Sequence, residues 1–334
     1  MREKYHKIAV KSNSRIINEK KMVRHYWKCG TYHYEKYGLA YKELDNEAIL
    51  DYVPTYYHHV KLERDHRGID IVQYGNKLNQ AMLFNERGIP NAGLLATIHN
   101  RCWYDYNGNV LDCTSFLEQY FASHSCKLFI KNSDGQGGFD IFVVKKQGDK
   151  TYVNGKQIHN LGEVNYILPP HGSFIVQEGV SQTEQFMKIN SSSLNTLRVV
   201  TQMENGRMIL KTCIIRMGRS GREVDNSAQG GISVKVDLQN GQVANSATAE
   251  HGGGCFYSHP DSGKQFCDIR INNWTTLRSQ IEDIANKLSD FKNIALDIAV
   301  TDAGAKLIEF NFHYGIEHQQ CVLGGVRRLL CIDR

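Results

Sequence analysis

In the stretch LDIAVTDAGAKLIEFN, residues 296–311, Asp297, Glu309 and Asn311 stand among apolar residues that otherwise have the composition of buried strand. The runs NIALDIAV and AKLIEFNF are joined by TDAG, a hairpin signal with glycine at the turn. Strand alternation places Glu309 and Asn311 on one face. A loop symmetric about Ala303 sets Asp297 directly opposite Glu309, each six residues away. Like charges facing one another across a strand pair repel, so something positive must lie between them. A divalent cation meets that demand, and two carboxylates with an amide carbonyl are oxygen ligands that suit Mg²⁺ or Mn²⁺ rather than zinc. The alternatives are an exposed hairpin face or acids paired with arginine, and a one-residue change of register breaks the pairing.

A second group lies in FIKNSDGQGGFDIFVV, where Lys131 ends one β run and Gly135, Gly137 and Gly138 form a flexible loop before the next. Such a loop can lay backbone N–H groups over phosphates while the lysine neutralises charge. Asp140 occupies the third glycine position of GxGxxG, and no GxxxxGK[ST] occurs, so neither nucleotide fingerprint is present. Taken alone, the loop reads as a plain hairpin turn. HGGGC at 251–255 has the glycines of an esterase oxyanion loop, but the required GxSxG elbow is missing. Cys255 has no specific partner that would activate a thiol nucleophile.

The elements that must position these groups alternate between helix and strand. Asn76 is a helix N-cap, with Leu78, Ala81 and Met82 at helical spacing and Gly88 as the stop. The strand-like runs are LLATI, KLFIK, FDIFVVKK, GSFIVQEGV, NTLRVVTQ, MILKTCIIRMG and GISVKVDL. In NNWTTLRSQIEDIANKLSDF, Trp274, Leu277, Ile281, Ile284 and Leu288 step by three and four, which makes an amphipathic helix against a sheet. Residues 1–75, rich in Tyr, His, Lys and Arg, form a mainly helical accessory region whose periodicity ends at Pro54. Its rings pack on the next domain or, alternatively, make a partner surface. No fixed-period repeat occurs, and the class is α+β.

Composition bounds the rest. A chain of 334 residues suggests about two domains, and 41% hydrophobic with 22% charged residues is globular. No apolar run approaches the roughly 18 residues of a membrane helix, and the basic N-terminus lacks the apolar core of a secretory signal. The nine cysteines are odd in number and contain no CxxC pair, which fits reduced thiols. A soluble, cytoplasmic protein is expected, without membrane insertion. The net charge of +5 is spread among acids, which disfavours nucleic acid and is compatible with a polyanionic small ligand.

Six segments, in order, resemble the ATP-grasp superfamily, and most closely its sugar-transfer-associated branch: NKLNQAMLFNERGIP, FIKNSDGQGGFDI, FIVQEGV, SLNTLRVVT, IIRMGRSGREVDNSAQGG and LDIAVTDAGAKLIEFN. The resemblance implies two α+β subdomains, 76–180 and 181–334, that grip ATP, with 1–75 as the accessory region. It further implies that Lys77 and Lys131 approach the α and β phosphates, and that the loop from Asp134 through Gln136, Gly137 and Gly138 closes over ATP. Gln177, Glu178 and Val180 would form the adenine hinge, and Glu184 would hold the ribose. Arg198, Lys211 and Arg216 would line the cleft, with Arg216 on the transferring phosphoryl group. Each of these three also has the plainer reading of a structural ion pair. Asn226 and the Gly230–Gly231 pair would cover the γ phosphate. Asp297, Glu309 and Asn311 match the family's magnesium triad, with two Mg²⁺ ions expected and Mn²⁺ as a substitute.

The activity implied is ADP-forming ligation of a small-molecule carboxylate to an amine through an acyl phosphate, on a polysaccharide or natural-product precursor. The alternatives are an ATP-grasp kinase acting on a hydroxyl and a noncatalytic nucleotide-binding module. A homodimer is compatible with the sequence. Three positions depart from the family pattern: Asn132 after Lys131, Asn91 after GIP, and NFHYGIEHQQ in place of a proline-glycine turn. His313 and His318 in that last segment read as ordinary polar loop residues or as substrate contacts.

Overall fold

A computed structural model describes residues 11–123, 127–135, 140–221, 230–249 and 254–334. The chain begins with helices α1 (Asn13–Trp27), α2 (Tyr32–Lys36), α3 (Asn46–Leu50) and α4 (Thr55–Asp65). The side chains of Ser12 and Asp45 accept from the backbone N–H of Arg15 and Ala48 at the starts of α1 and α3, satisfying donors that the first turn leaves without partners. Pro54 does not end the helical region. It is the N-cap of α4, since a residue without an N–H is tolerated at a helix start.

Packing divides the chain into two compact units. One comprises Asp70–Gln182 with Thr301–Glu309. Its helices are α5 (Ile71–Gly75), α6 (Lys77–Glu86), α7 (Cys113–Ser123) and α8 (Glu163–Ile167). Its strands are β1 (Leu94–His99), β2 (Cys102–Tyr104), β3 (Val110–Leu111), β4 (Leu128–Asn132), β5 (Ile141–Gln147), β6 (Lys150–Val153), β7 (Lys156–Ile158) and β8 (Ser173–Glu178), in sheet order β3-β2-β1-β8-β4-β5-β6-β7. Ala96, Ile98, Leu128, Ile130, Phe174 and Val176 pack on Leu117 and Phe121 of α7 in a buried core. Asn76 caps α6 by accepting from Leu78 and Asn79, and Gly88 follows with φ +59°, as the sequence predicts. The buried face of α6 differs from the prediction: Ala81, Leu83 and Phe84 are inside, while Met82 is 48% exposed.

The other unit joins the N-terminal helices up to Ile69 to residues 183–300 and 310–334. It adds α9 (Glu184–Ile189), β9 (Thr196–Glu204), β10 (Arg207–Met217), β11 (Ile232–Lys235), β12 (Ala247–Ala249), β13 (Cys255–Phe256), α10 (Trp274–Lys287), β14 (Asn293–Thr301) and α11 (Ile316–Leu323). With β15 (Gly304–Asn311), the strand order is β13-β12-β11-β10-β9-β14-β15. The apolar stripe predicted for α10 is buried throughout, from Trp274 to Leu288.

On β9, Leu197 and Val199 alternate with Arg198 and Val200, so the two sets face opposite sides of the sheet. Val200 and Ala295, in register across β9 and β14, share a core with Val23, Trp27, Tyr34, Tyr37 and Tyr314. The rings of Trp27, Tyr34 and Tyr37 therefore pack on this sheet. No described helix is long and apolar enough to cross a membrane, and the described cysteines are all free thiols.

Candidate active site

Arg198 lies in register with Asp297 of β14 on one side and Ile214 of β10 on the other. Arg216, two residues beyond Ile214, is in register with Thr196. Alternation therefore brings Arg198, Arg216 and Asp297 to one face of the sheet. Arg198 grips Asp297 as a fork, Nε donating to Oδ1 at 2.5 Å and Nη2 to Oδ2 at 2.9 Å. Arg216 Nη1 lies 3.3 Å from both oxygens, and Asn311 Nδ2 lies 3.4 Å from Oδ2. Asp297 is 4% exposed and Arg216 7%, so this is a buried acid between two cations. Of the possibilities open from sequence, pairing with arginine is realised at Asp297.

The oxygen donors also suit a cation. Two ligands of one Mg²⁺ lie about 2.9 Å apart when cis and about 4.2 Å when trans, given metal–oxygen distances near 2.1 Å. The Asn311 amide stands within that range of Asp297, and rotating it by half a turn presents its carbonyl oxygen. The fork from Arg198 uses one lone pair on each carboxylate oxygen, and the contacts from Arg216 and Asn311 are longer. Among the described residues, no three of His, Cys, Asp and Glu cluster, so an ion held here needs amide and water oxygens. Glu309, half-buried, shares a face of β15 with Asn311 by alternation.

The rest of this sheet face is covered. Asn293 Nδ2 donates to Asp65 at 2.8 Å, the Asn293 carbonyl meets His66 Nε2 at 2.7 Å, and Tyr314 OH donates to Asn293 Oδ1 at 2.9 Å. Gln202 Nε2 donates to the Leu330 carbonyl. The segment after Asn311 corrects the sequence reading, because residues 316–323 form helix α11 rather than a loop. His318, 8% exposed, meets Ser233 Oγ at 2.6 Å, and Ser233 is the register partner of Arg216. Gln319 accepts from Thr212 at 3.4 Å. The signal for this helix was the buried spacing of Ile316 and Gln320, masked in the sequence by its polar residues. His313 is exposed.

In the Asp70–Gln182 unit, Lys131 Nζ donates to Gln177 Oε1 at 2.9 Å, and Gln177 Nε2 donates to the Ala92 carbonyl at 3.2 Å. The amide orientation is thus fixed, with its oxygen toward the lysine. Lys77 begins α6. Its backbone N–H donates to Ser133 O at 2.8 Å and its ammonium to the Gly135 carbonyl, while Asn76 Nδ2 donates to Asp134 at 2.8 Å. The first turn of α6 therefore clasps the approach to the glycine-rich loop. Gln136, Gly137 and Gly138 lie outside the described residues, as does Asn226. Glu178 and Val180 are half-buried, and between them a Cβ on Gly179 would stand 2.1 Å from the Lys127 carbonyl oxygen. Only glycine fits that approach.

Two candidates stand apart from these clusters. Lys211 is the extra residue of a bulge between Leu210 and Thr212, which re-aims its side chain, and it pairs with Glu204. Glu184 opens α9 with its side chain 82% exposed and paired to Lys188 at 2.8 Å. The hydrogen bond from Lys188 holds its carboxyl below the usual range.

The sequence matches the family described as sugar-transfer associated ATP-grasp over residues 65–329. Among solved structures, it is similar to VanG D-Ala:D-Ser ligase from Enterococcus faecalis, with 14% identity over 78% of this chain and 60% of that one, TM-score 0.44. It is also similar to carboxyaminoimidazole ribonucleotide synthase from Aspergillus clavatus complexed with ATP, with 10% identity over 85% and 59%, TM-score 0.44. The chain spans about three-fifths of the length of those structures. No curated protein matches it. The assignment rests on the sequence match, which covers most of the chain. The chain belongs to the sugar-transfer associated ATP-grasp family.

Proposed function

We propose that this protein is an ATP-dependent carboxylate–amine ligase. The observation that carries the proposal is the buried Asp297, forked by Arg198, reached by Arg216 and neighboured by Asn311, in a chain of the ATP-grasp family. Lys77 and Lys131 bind the ATP phosphates, and the backbone around Gly179 receives the adenine. Arg216 meets the oxygens of the transferring phosphoryl group, where a guanidinium matches both charge and geometry. Arg198 fixes the orientation of Asp297. Asp297, Glu309 and Asn311 would hold Mg²⁺, which supplies charge neutralisation to the phosphates when bound. Such a site works by positioning and electrostatics and needs no protein nucleophile.

In this reading a carboxylate oxygen attacks the γ-phosphorus and ADP leaves. An amine then attacks the acyl carbon, phosphate leaves, and the nitrogen gives up a proton. A polysaccharide or natural-product precursor is the proposed carboxylate or amine. The test is a screen of acids with amines that follows ADP release, with mass spectrometry of each positive. An amide product formed one-for-one with ADP supports the ligase. A phosphorylated hydroxyl product contradicts it and identifies a kinase, and ATP binding without turnover on any acceptor identifies a binding module.

A further inference from the structure

The charge of this chain is unevenly placed. Of its 40 Lys and Arg, ten lie in the first 36 residues, against three of its 35 Asp and Glu. That segment carries +7 and the remainder of the chain −2. Among the described residues, its acids are already matched: Glu19 pairs with Lys11 and Arg15, and Glu35 with Lys20. The nearby Glu43 also pairs with Arg15. Lys21, Arg24 and Lys28 are exposed and have no acidic partner among the described residues.

These three cations lie along one stripe of α1 and its cap, because Ile17, Lys21, Arg24 and Lys28 are spaced four, three and four residues apart. The buried residues Glu19, Val23 and Trp27 occupy another side of the helix, fixed in the core with Tyr34 and Tyr37. The stripe is thus held outward on a rigid element. Within it Ile17 is 52% exposed, and Tyr32 beyond the helix end is 77% exposed.

We infer that this stripe of α1 docks the protein on an anionic lipid surface. Cations on the polar face of a helix are drawn to acidic headgroups, and an aliphatic side chain within the stripe and an exposed tyrosine beyond the helix end partition into the interface. A nucleic-acid phosphate backbone complements the cations but gives Ile17 and Tyr32 nothing to bury against. The lipid bilayer accounts for both. This surface is independent of the ATP chemistry proposed above, and none of its residues contacts that cluster in the contacts described.

The test is flotation of the full chain with vesicles of phosphatidylcholine alone, or with about one-third phosphatidylserine. The inference predicts binding only to the anionic vesicles, weakening as salt shortens the electrostatic range. Neutralising three surface cations in the variant Lys21→Gln, Arg24→Gln, Lys28→Gln should lower partitioning on the order of a hundredfold, roughly fivefold per charge. Circular dichroism and ATP binding of that variant should match wild type, and Ile17→Ser should weaken the residual binding at high salt. Equal binding to neutral vesicles, no binding to anionic vesicles at low salt, or an unaffected triple variant would overturn the inference. Tighter binding to a duplex oligonucleotide than to anionic vesicles would overturn it in favour of nucleic acid.

Discussion

Two buried carboxylates in this protein, Glu19 and Asp297, are each held between two cations, and they differ in their surroundings. Glu19 receives Lys11 Nζ on both oxygens at 2.9 and 2.8 Å, Arg15 Nε at 2.9 Å and the Tyr34 hydroxyl. Burial pushes its carboxyl pKa up, and the hydrogen bonds from Lys11, Tyr34 and Arg15 outweigh that and leave it lowered. Asp297 receives a close fork from Arg198, while Arg216 and Asn311 stand at 3.3 and 3.4 Å. The first arrangement closes a structural cluster within the helical layer. The second is an acid on a sheet face that Arg216 and Asn311 approach at longer range, and it is the acid proposed above to meet a cation and phosphates. Ion pairing alone therefore does not distinguish structure from function.

The largest effect is expected at Asp297. Asp297→Asn and Glu309→Ala should each lower Mg²⁺-dependent ATP turnover by about a thousandfold or more, with Glu309→Ala leaving the circular dichroism spectrum unchanged. Retained turnover in either variant removes the metal assignment. Next, Glu19→Gln should leave turnover intact below its melting temperature and cost about 3–5 kcal/mol of unfolding free energy, because it strands the buried Lys11 ammonium. Urea denaturation measures it, and a loss under 1 kcal/mol would mean that the two acids do not differ in kind.

Acid sharpens the same contrast. Burial pushes His33 and His58 down to about 4, opposed at His33 by the Glu35 charge and at His58 by its hydrogen bond to Tyr314. Both are favoured neutral in the folded state, so their contribution is complete above pH 6.5 and is lost as pH falls toward about 4. On the order of 3 kcal/mol is at stake for each. Melting followed against pH should show the helical layer loosening in that window, and His58→Gln should flatten the dependence. The smallest effect is expected at Gly179→Ala, where crowding against Lys127 should cost about 1–3 kcal/mol and weaken ATP binding. Unchanged affinity would separate this approach from the nucleotide.

Much of the scaffold was legible because local rules governed it. Asn76 and Gly88 delimit α6, the stripe from Trp274 to Leu288 gives α10, and the hairpin around Asp302 follows from its glycine. The buried face of α6 was not, because packing put Met82 outside and Leu83 inside. At the site, the sequence identified Arg198 and Asp297 separately, but their pairing depends on β9 lying beside β14, residues nearly a hundred positions apart. No local periodicity encodes that register. The bulge that turns Lys211 toward Glu204 is equally invisible. Helix α11 was hidden because its buried face carries His318, Gln319 and Gln320, polar groups whose partners come from distant elements.

A divalent cation proposed for the Asp297 cluster, and not for the Glu19 cluster, can be followed directly. The direct test is Mn²⁺ binding, followed by electron paramagnetic resonance in the presence of a non-hydrolysable ATP analogue, in wild type, Asp297→Asn and Glu19→Gln. Wild type and Glu19→Gln should bind the ion alike, and Asp297→Asn should lose affinity by about 10–100-fold. Equal Mn²⁺ affinity in wild type and Asp297→Asn would contradict the account.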